Sequence, residues 1–374
     1  MGSGKARAGG VVLAVLGAAS ICQAHAAGEL EPEPMNVTVD VKPLQPHKGT
    51  TLASCLHPLM AATGRTEWSM ARLQGVLGHA FQFAMEEGGG MVFHDNLDWS
   101  LAVDLLPELA RFRVYETNKE KVVADLPALK AEARDAAVAS LERGIPALVW
   151  QPMSLEQKQS DHPGHHAYCW GLIVGYDPEG ETYTIRHPFV SVDYVVPYDA
   201  LGPADPGGWF NVTVFEAPTE ADERATHLMA LRNAVALAEG TRFEQAGRPQ
   251  TRPQGLAAYE TWAAAFDSAE VIEQPSRHHA KILTWRRELA AEYMRELTGL
   301  LPEAAGPLEA AAADYDREHR ALLALSALVD STHQRGEYTG DELAEARRLI
   351  GEALEADRAA VSRIKAALAI LDGS

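Results

Sequence analysis

The stretch that decides the fold is His165-His166-Ala167-Tyr168-Cys169-Trp170-Gly171-Leu172-Ile173-Val174-Gly175-Tyr176-Asp177-Pro178-Glu179-Gly180. Its first part reads as a strand over 165–176, and Asp177-Pro178-Glu179-Gly180 is a turn signal. Further short strands are predicted at 182–187, 192–196 and 209–215, and Ile145-Pro146-Ala147-Leu148-Val149-Trp150 reads as a buried strand just after Gly144. Upstream the chain reads as helix: 125–143 is amphipathic, and 69–83 and 99–109 are helical candidates. A short helix surrounds Cys55, with Thr50, Thr51 or Ser54 as its cap and Pro58 tolerated only near its first turn. After Pro218 helices are expected at about 221–239, 255–268, 276–299, 303–334 and 339–371. The expected fold class is therefore α+β, a helical start and a mostly antiparallel sheet, followed by an all-α C-terminal unit.

Length and composition agree with a folding chain of two units. At 374 residues, with 47% hydrophobic and 23% charged residues, extended disorder is disfavoured. A formal charge of −19 argues against a nucleic-acid backbone or an anionic membrane as partner. The first 26 residues carry Lys5 and Arg7, an apolar run over 9–22, and Ala24-His25-Ala26, the pattern of an export signal cut after Ala26. Its removal takes the formal charge from −19 to −21. The apolar run is shorter than the ~20 residues a bilayer span needs. The expected product is periplasmic or extracellular and free of the membrane; a lipoprotein acylated at Cys22 is the minor alternative, disfavoured by the bulky Ile21 before it. The predicted divisions are 1–26, 27–218 and 219–374.

Two cysteines remain after cleavage, Cys55 and Cys169. A helix amino terminus favours a thiolate, so Cys55 is the candidate nucleophile. Its base must come from a distant histidine that the fold brings near, and His166, opening the strongest strand, fits. Strand alternation sets His166 and Trp170 on one face and Cys169 on the other. Cys169 then reads as a packed core residue, which argues against a Cys55–Cys169 disulfide.

The order is a cysteine in a helix, a long helical stretch, Gly144-Ile145-Pro146 leading into a strand, His166, and then Gly175-Tyr176-Asp177. In this the chain resembles the papain-like cysteine peptidase superfamily and its double-glycine-peptidase-like branch. Ala53-Ser54-Cys55, residues 75–83, 166–177 and Gly255-Leu256-Ala257-Ala258-Tyr259-Glu260-Thr261-Trp262 look like the butirosin biosynthesis protein H family. The resemblance implies a papain-like fold and a thiol enzyme, either an amide hydrolase or an acyltransferase. Cys55 would be the nucleophile and His166 the base, acting on a peptide, an amide or an acyl-bearing small substrate without a cofactor. The third position, usually Asp or Asn, falls at His187, a departure that leaves Asp177 or Asp193 as substitutes or the site weakened. Gln45 is the candidate upstream oxyanion-hole residue. A catalytically inactive binding or scaffold protein is the alternative.

Other signals have plainer readings. His162, His165, His166 and His187, with Asp161 or Asp193, match no zinc spacing, so no metal is expected. His94-Asp95-Asn96-Leu97-Asp98-Trp99 is either a pocket wall or a turn and cap. Asn36-Val37-Thr38 and Asn211-Val212-Thr213 match a glycosylation acceptor, without consequence in the bacterial source that the signal style and Ala-rich composition favour. Tyr259 and Trp262, at helical spacing, are expected to pack the helical unit on the sheet.

Overall fold

Polar caps set where the first helices begin. Thr50 precedes α1 (Thr51–Ala62), Ser69 precedes α2 (Met70–Val76) and Asp125 precedes α4 (Leu126–Glu142). In each case the side-chain oxygen accepts a backbone N–H three residues on, satisfying a donor that helix geometry leaves free. These elements belong to a computed structural model that describes residues 36–41, 44, 50–85, 104–118, 121–152, 169–190, 192–203, 208–242, 252–267, 273–335 and 337–373. The export signal, Gln45, residues 94–99 and His162, His165 and His166 lie outside the described residues. Among the described residues, no helix is long and apolar enough to cross a membrane.

Several helices differ from expectation for identifiable reasons. Pro58 is the eighth residue of α1, well past its first turn, and the helix continues through it. Helix α2 stops at Val76 rather than running to 83. Gly78, at φ 76°, takes the left-handed conformation that ends a helix, and its N–H donates to Gly75 O at 3.1 Å. Of the helix expected at 99–109, the described part is α3 (Leu106–Leu109).

The chain then enters a strand that sequence reading missed, β2 (Ala110–Thr117). The remaining strands are β1 (Val37–Thr38), β3 (Ala147–Trp150), β4 (Trp170–Asp177), β5 (Thr182–Arg186), β6 (Tyr194–Pro197) and β7 (Phe210–Pro218). Their order is β2-β7-β3-β4-β5-β6, with β1 also paired to β4, and every pairing among them is antiparallel. Helix α4 ends at Glu142, Gly144 takes a left-handed conformation at φ 77°, and the chain turns into the buried strand β3.

The C-terminal region is helical, as expected: α5 (Glu223–Ala238), α6 (Leu256–Ala265), α7 (Glu273–Leu300), a 3-10 turn at Pro302–Ala304, α8 (Ala305–Arg335) and α9 (Gly340–Gly373). Asn36–Ser374 forms one compact unit. One buried apolar cluster joins α1, α2 and the sheet to Leu231 of α5, Tyr293, Met294 and Leu297 of α7, and Ile364 of α9. A second gathers Phe83 and Met85 with Tyr259, Trp262, Leu322 and Ile350. Tyr259 and Trp262 thus pack on the segment that follows α2, not on the sheet. The Phe83 ring stands edge-on to both, with centroids 4.7 and 5.6 Å away.

Candidate active site

Cys55 is the fifth residue of α1, one turn inside its amino terminus, and is fully buried. The cap above it is doubly used. Thr50 Oγ1 accepts the Ala53 N–H and also pairs with Nδ1 of buried His79 at 3.0 Å. One residue on, Thr51 Oγ1 accepts the Trp170 N–H at 3.2 Å, which fastens the first turn of α1 to the beginning of β4. Cys169, the residue before β4, is buried, and its carbonyl accepts the Gln151 N–H at 3.0 Å. Gln151 adopts φ 48°, a left-handed conformation rare for a residue with a side chain, immediately after β3.

Aromatic rings frame this end of the sheet. Trp150 and Trp170 are direct register partners on β3 and β4 with centroids 5.4 Å apart, and Trp209 stands 6.0 Å from Trp150. Tyr194, opening β6, donates its hydroxyl to Pro152 O at 2.7 Å. The Tyr194 phenol is held above its ordinary range by burial and by the proximity of Cys55 and Cys169. The Cys55 thiol is likewise pushed well up, first by burial and then by Cys169. Sequence reading expected the helix terminus to lower it. Complete removal from water outweighs the partial charge of a helix end, because the charged form loses its hydration and the dipole effect fades within the first turn.

His187 directly follows β5 and is buried. Its Nδ1 accepts the Phe189 N–H at 3.2 Å. A neutral ring with Nδ1 occupied in this way carries its proton on Nε2, so it presents a donor. Accepting a hydrogen bond from a catalytic imidazole, the role a third member plays, requires the opposite tautomer. The two candidate substitutes are committed elsewhere. Asp193 holds the Arg186 guanidinium through two bonds of 2.9 and 2.7 Å. Asp177 Oδ1 accepts the N–H groups of Glu179 and Gly180 at 3.0 and 3.1 Å. It also closes the far end of β4, at ~3.3 Å per residue roughly 23 Å from Trp170.

The structure thus brings Cys55, Cys169, Tyr194 and the Thr51–Trp170 link together at one end of the sheet, with His187 ending the neighbouring strand. His79, Tyr194 and Gln151 were not singled out from sequence. His79 lies within the 75–83 segment that carries the family resemblance, and Tyr194 within the predicted 192–196 strand, so both had a positional signal but no chemical one. Gln151 had none, since its backbone conformation is set by tertiary contacts. Asn211, a glycosylation-motif residue, is buried. Among the described residues, no three His, Cys, Asp or Glu side chains are grouped to hold a metal ion.

No protein-family model matches the sequence, and a search against curated proteins gives no match.

Proposed function

We propose that this protein is an exported papain-like thiol enzyme in which Cys55 is acylated by a peptide, amide or acyl-bearing small substrate, with His166 as the base. The observation that carries the reading is the Thr51–Trp170 hydrogen bond, which ties the turn bearing Cys55 to the strand that follows His166. Three peptide units separate His166 from Cys169, so chain connectivity alone keeps their Cα atoms within about 11 Å. In the reaction, the Cys55 thiol gives its proton to the imidazole and its sulfur bonds to the substrate carbonyl carbon. The leaving amine or thiol takes that proton as the carbonyl–heteroatom bond breaks, and water or an acceptor amine then releases the acyl group. A desolvated thiol such as Cys55 needs this proton acceptor, because burial otherwise keeps it neutral. Export favours hydrolysis of amides over transfer from a carrier protein, since carrier-bound thioesters are cytoplasmic.

Intact-mass analysis tests the reading. On a panel of amides and thioesters, the wild-type chain is expected to show turnover and an acyl adduct, and Cys55→Ala to show neither while remaining folded. Absence of both adduct and turnover across the panel contradicts it. That outcome favours the second reading, a papain-like scaffold without catalysis. Its specific support is that His187 Nδ1, Asp177 and Asp193 are all engaged away from the role of third member. On that reading Cys55→Ala and His166→Ala change stability alone.

A further inference from the structure

Three charged side chains from three helices meet out of water. Arg287 of α7 donates through Nε to Glu318 Oε1 of α8 at 2.7 Å and through Nη2 to Asp357 Oδ2 of α9 at 2.9 Å, and each of the three residues is at most 2% exposed. Tyr259 of α6 closes the group: its hydroxyl accepts from Arg287 Nη2 at 3.0 Å and donates to Glu318 Oε1. The Tyr315 ring of α8 lies 5.9 Å from the guanidinium carbon, and the Asp314 carboxylate beside it is paired with Arg317 at 2.9 Å. The segment 80–85, to which Arg287 also bonds, brings no titratable side chain. One guanidinium thus faces two carboxylates, and with both ionised the group carries an uncompensated negative charge that burial penalises heavily. Glu318 Oε2 is buried and has no hydrogen-bond partner among the described residues. A bare anionic oxygen there costs more than a protonated one, so Glu318 is where the group takes up a proton. Its carboxyl is accordingly pushed up to about 8, with burial as the first cause.

The same guanidinium reaches out of the helical region. Its Nη1 donates to Ala80 O at 2.7 Å. The adjacent residue, His79, pairs through Nδ1 with Thr50 Oγ1 at 3.0 Å, and Thr50 caps α1, the helix that bears Cys55. We propose that Arg287, Glu318 and Asp357 form a proton-operated clamp on that helix: with one proton on Glu318 the group is neutral and holds Ala80 and, through His79, the α1 cap, and loss of the proton releases that hold. An ionised Glu318 Oε2 competes for guanidinium N–H groups, and Nη1, the donor spent on a neutral carbonyl, is the one whose transfer costs least. Segment 80–85 is the wall that yields, because it is not helical, whereas Glu318 and Asp357 sit in helices of 31 and 34 residues. Water entering beneath it hydrates the second carboxylate and loosens the first turn of α1, the cover of a thiol that is fully buried while the clamp is closed. The clamp goes beyond the proposed catalysis and does not depend on it.

Native-state hydrogen exchange of the full chain, corrected for the intrinsic pH dependence of amide exchange, tests the clamp. Opening releases a proton, so it is favoured as pH rises towards the value of the closed state and levels off above it. Protection at Ala53, whose N–H bonds the Thr50 cap, and at Ala80, whose N–H bonds Gln74 O, is expected to fall by up to about tenfold per pH unit between about pH 5 and about pH 8. Both amides are expected to exchange faster than those of β4 throughout, the mark of a local opening and not of global unfolding. Glu318→Gln is expected to abolish the pH dependence. Asp357→Asn is expected to do the same, because the guanidinium then has a single carboxylate to neutralise and opening releases no proton. Wild-type protection that does not vary with pH, that matches β4 at every pH, or that varies just as steeply in either variant overturns the proposal. The wild-type comparison with β4 decides the matter if neither variant folds. Because the readout is exchange and not turnover, its failure leaves the proposed catalysis standing, and a catalytic failure leaves the clamp standing.

Discussion

Gly75 has no room for a side chain: a Cβ placed there would run into the Tyr293 ring. That ring belongs to α7 and its hydroxyl pairs with His227 of α5 at 2.8 Å, so neither neighbour yields cheaply. Gly75→Ala is expected to destabilise the chain by ~1–3 kcal/mol in urea unfolding, and an unchanged midpoint would mean that the α2–α7 contact relaxes freely. Glu318 makes a different single-residue statement. Its carboxyl is fully buried against Arg287, Tyr259, Tyr315 and Asp357, and desolvation pushes it up to about 8 despite the Arg287 guanidinium 2.7 Å away. A proton held in the folded state but lost from the unfolded chain stabilises fully below the unfolded value. That stabilisation falls away as pH rises from about 4.5 to about 8. Glu318→Gln is expected to flatten the loss of stability over this window, measured as urea midpoints at a series of pH values. An equal slope in variant and wild type contradicts the assignment.

One element that ties the helical region to the rest is the short segment after α2, residues 80–85. Its backbone is gripped on both sides. Arg287 Nη1 donates to Ala80 O and Arg286 Nη1 to Gln82 O, while Gly255 N–H donates to Phe83 O and Met85 N–H to Pro253 O. Gly255 sits at φ 57°, and a Cβ there would run into the Ala238 carbonyl oxygen, so only glycine permits this approach. Phe83→Ala is expected to cost ~3–5 kcal/mol and to loosen α6 and α7 together in hydrogen exchange. Exchange changes confined to residues 80–85 would show that the ring does not tie those helices. None of this was legible in sequence, where residues 69–83 read as one helix and Tyr259 and Trp262 as sheet contacts, because periodicity reports that a face is buried but not by what. Strand β2 was missed for a related reason. Arg111, Arg113 and Glu116 keep its edge polar and pair with Glu216 and Lys121, so it lacks the apolar run that marked β3 and β4. Those two strands, the Asp125-capped helix and the C-terminal helices were legible because each carries a strong local period with a cap or turn residue at its end.

At the scale of the molecule, both buried clusters cross residue 218, so the sheet-bearing part and the helical part share apolar cores. A chain ending at Pro218 exposes the faces that Leu231, Tyr293, Met294 and Leu297 cover, and such a fragment is expected to lack the cooperative unfolding transition of the full chain. A sharp transition at an undiminished midpoint would show that the sheet-bearing part stands alone. The candidate site was legible in part. Cys55 announced itself by its place in a capped helix, whereas its burial, the Thr51 anchor and the tautomer of His187 follow from contacts between residues far apart in sequence.

The central claim is that His166 activates Cys55, and the pH profile of iodoacetamide alkylation at Cys55 in the folded reduced chain tests it most directly. If His166 is the partner, Cys55 alkylates faster than a free thiol near neutral pH, and His166→Ala slows it at least tenfold and moves the profile to higher pH, towards the value that burial alone dictates. Alkylation of the wild-type chain that is already slower than that of a free thiol, with a profile His166→Ala does not move, would contradict it.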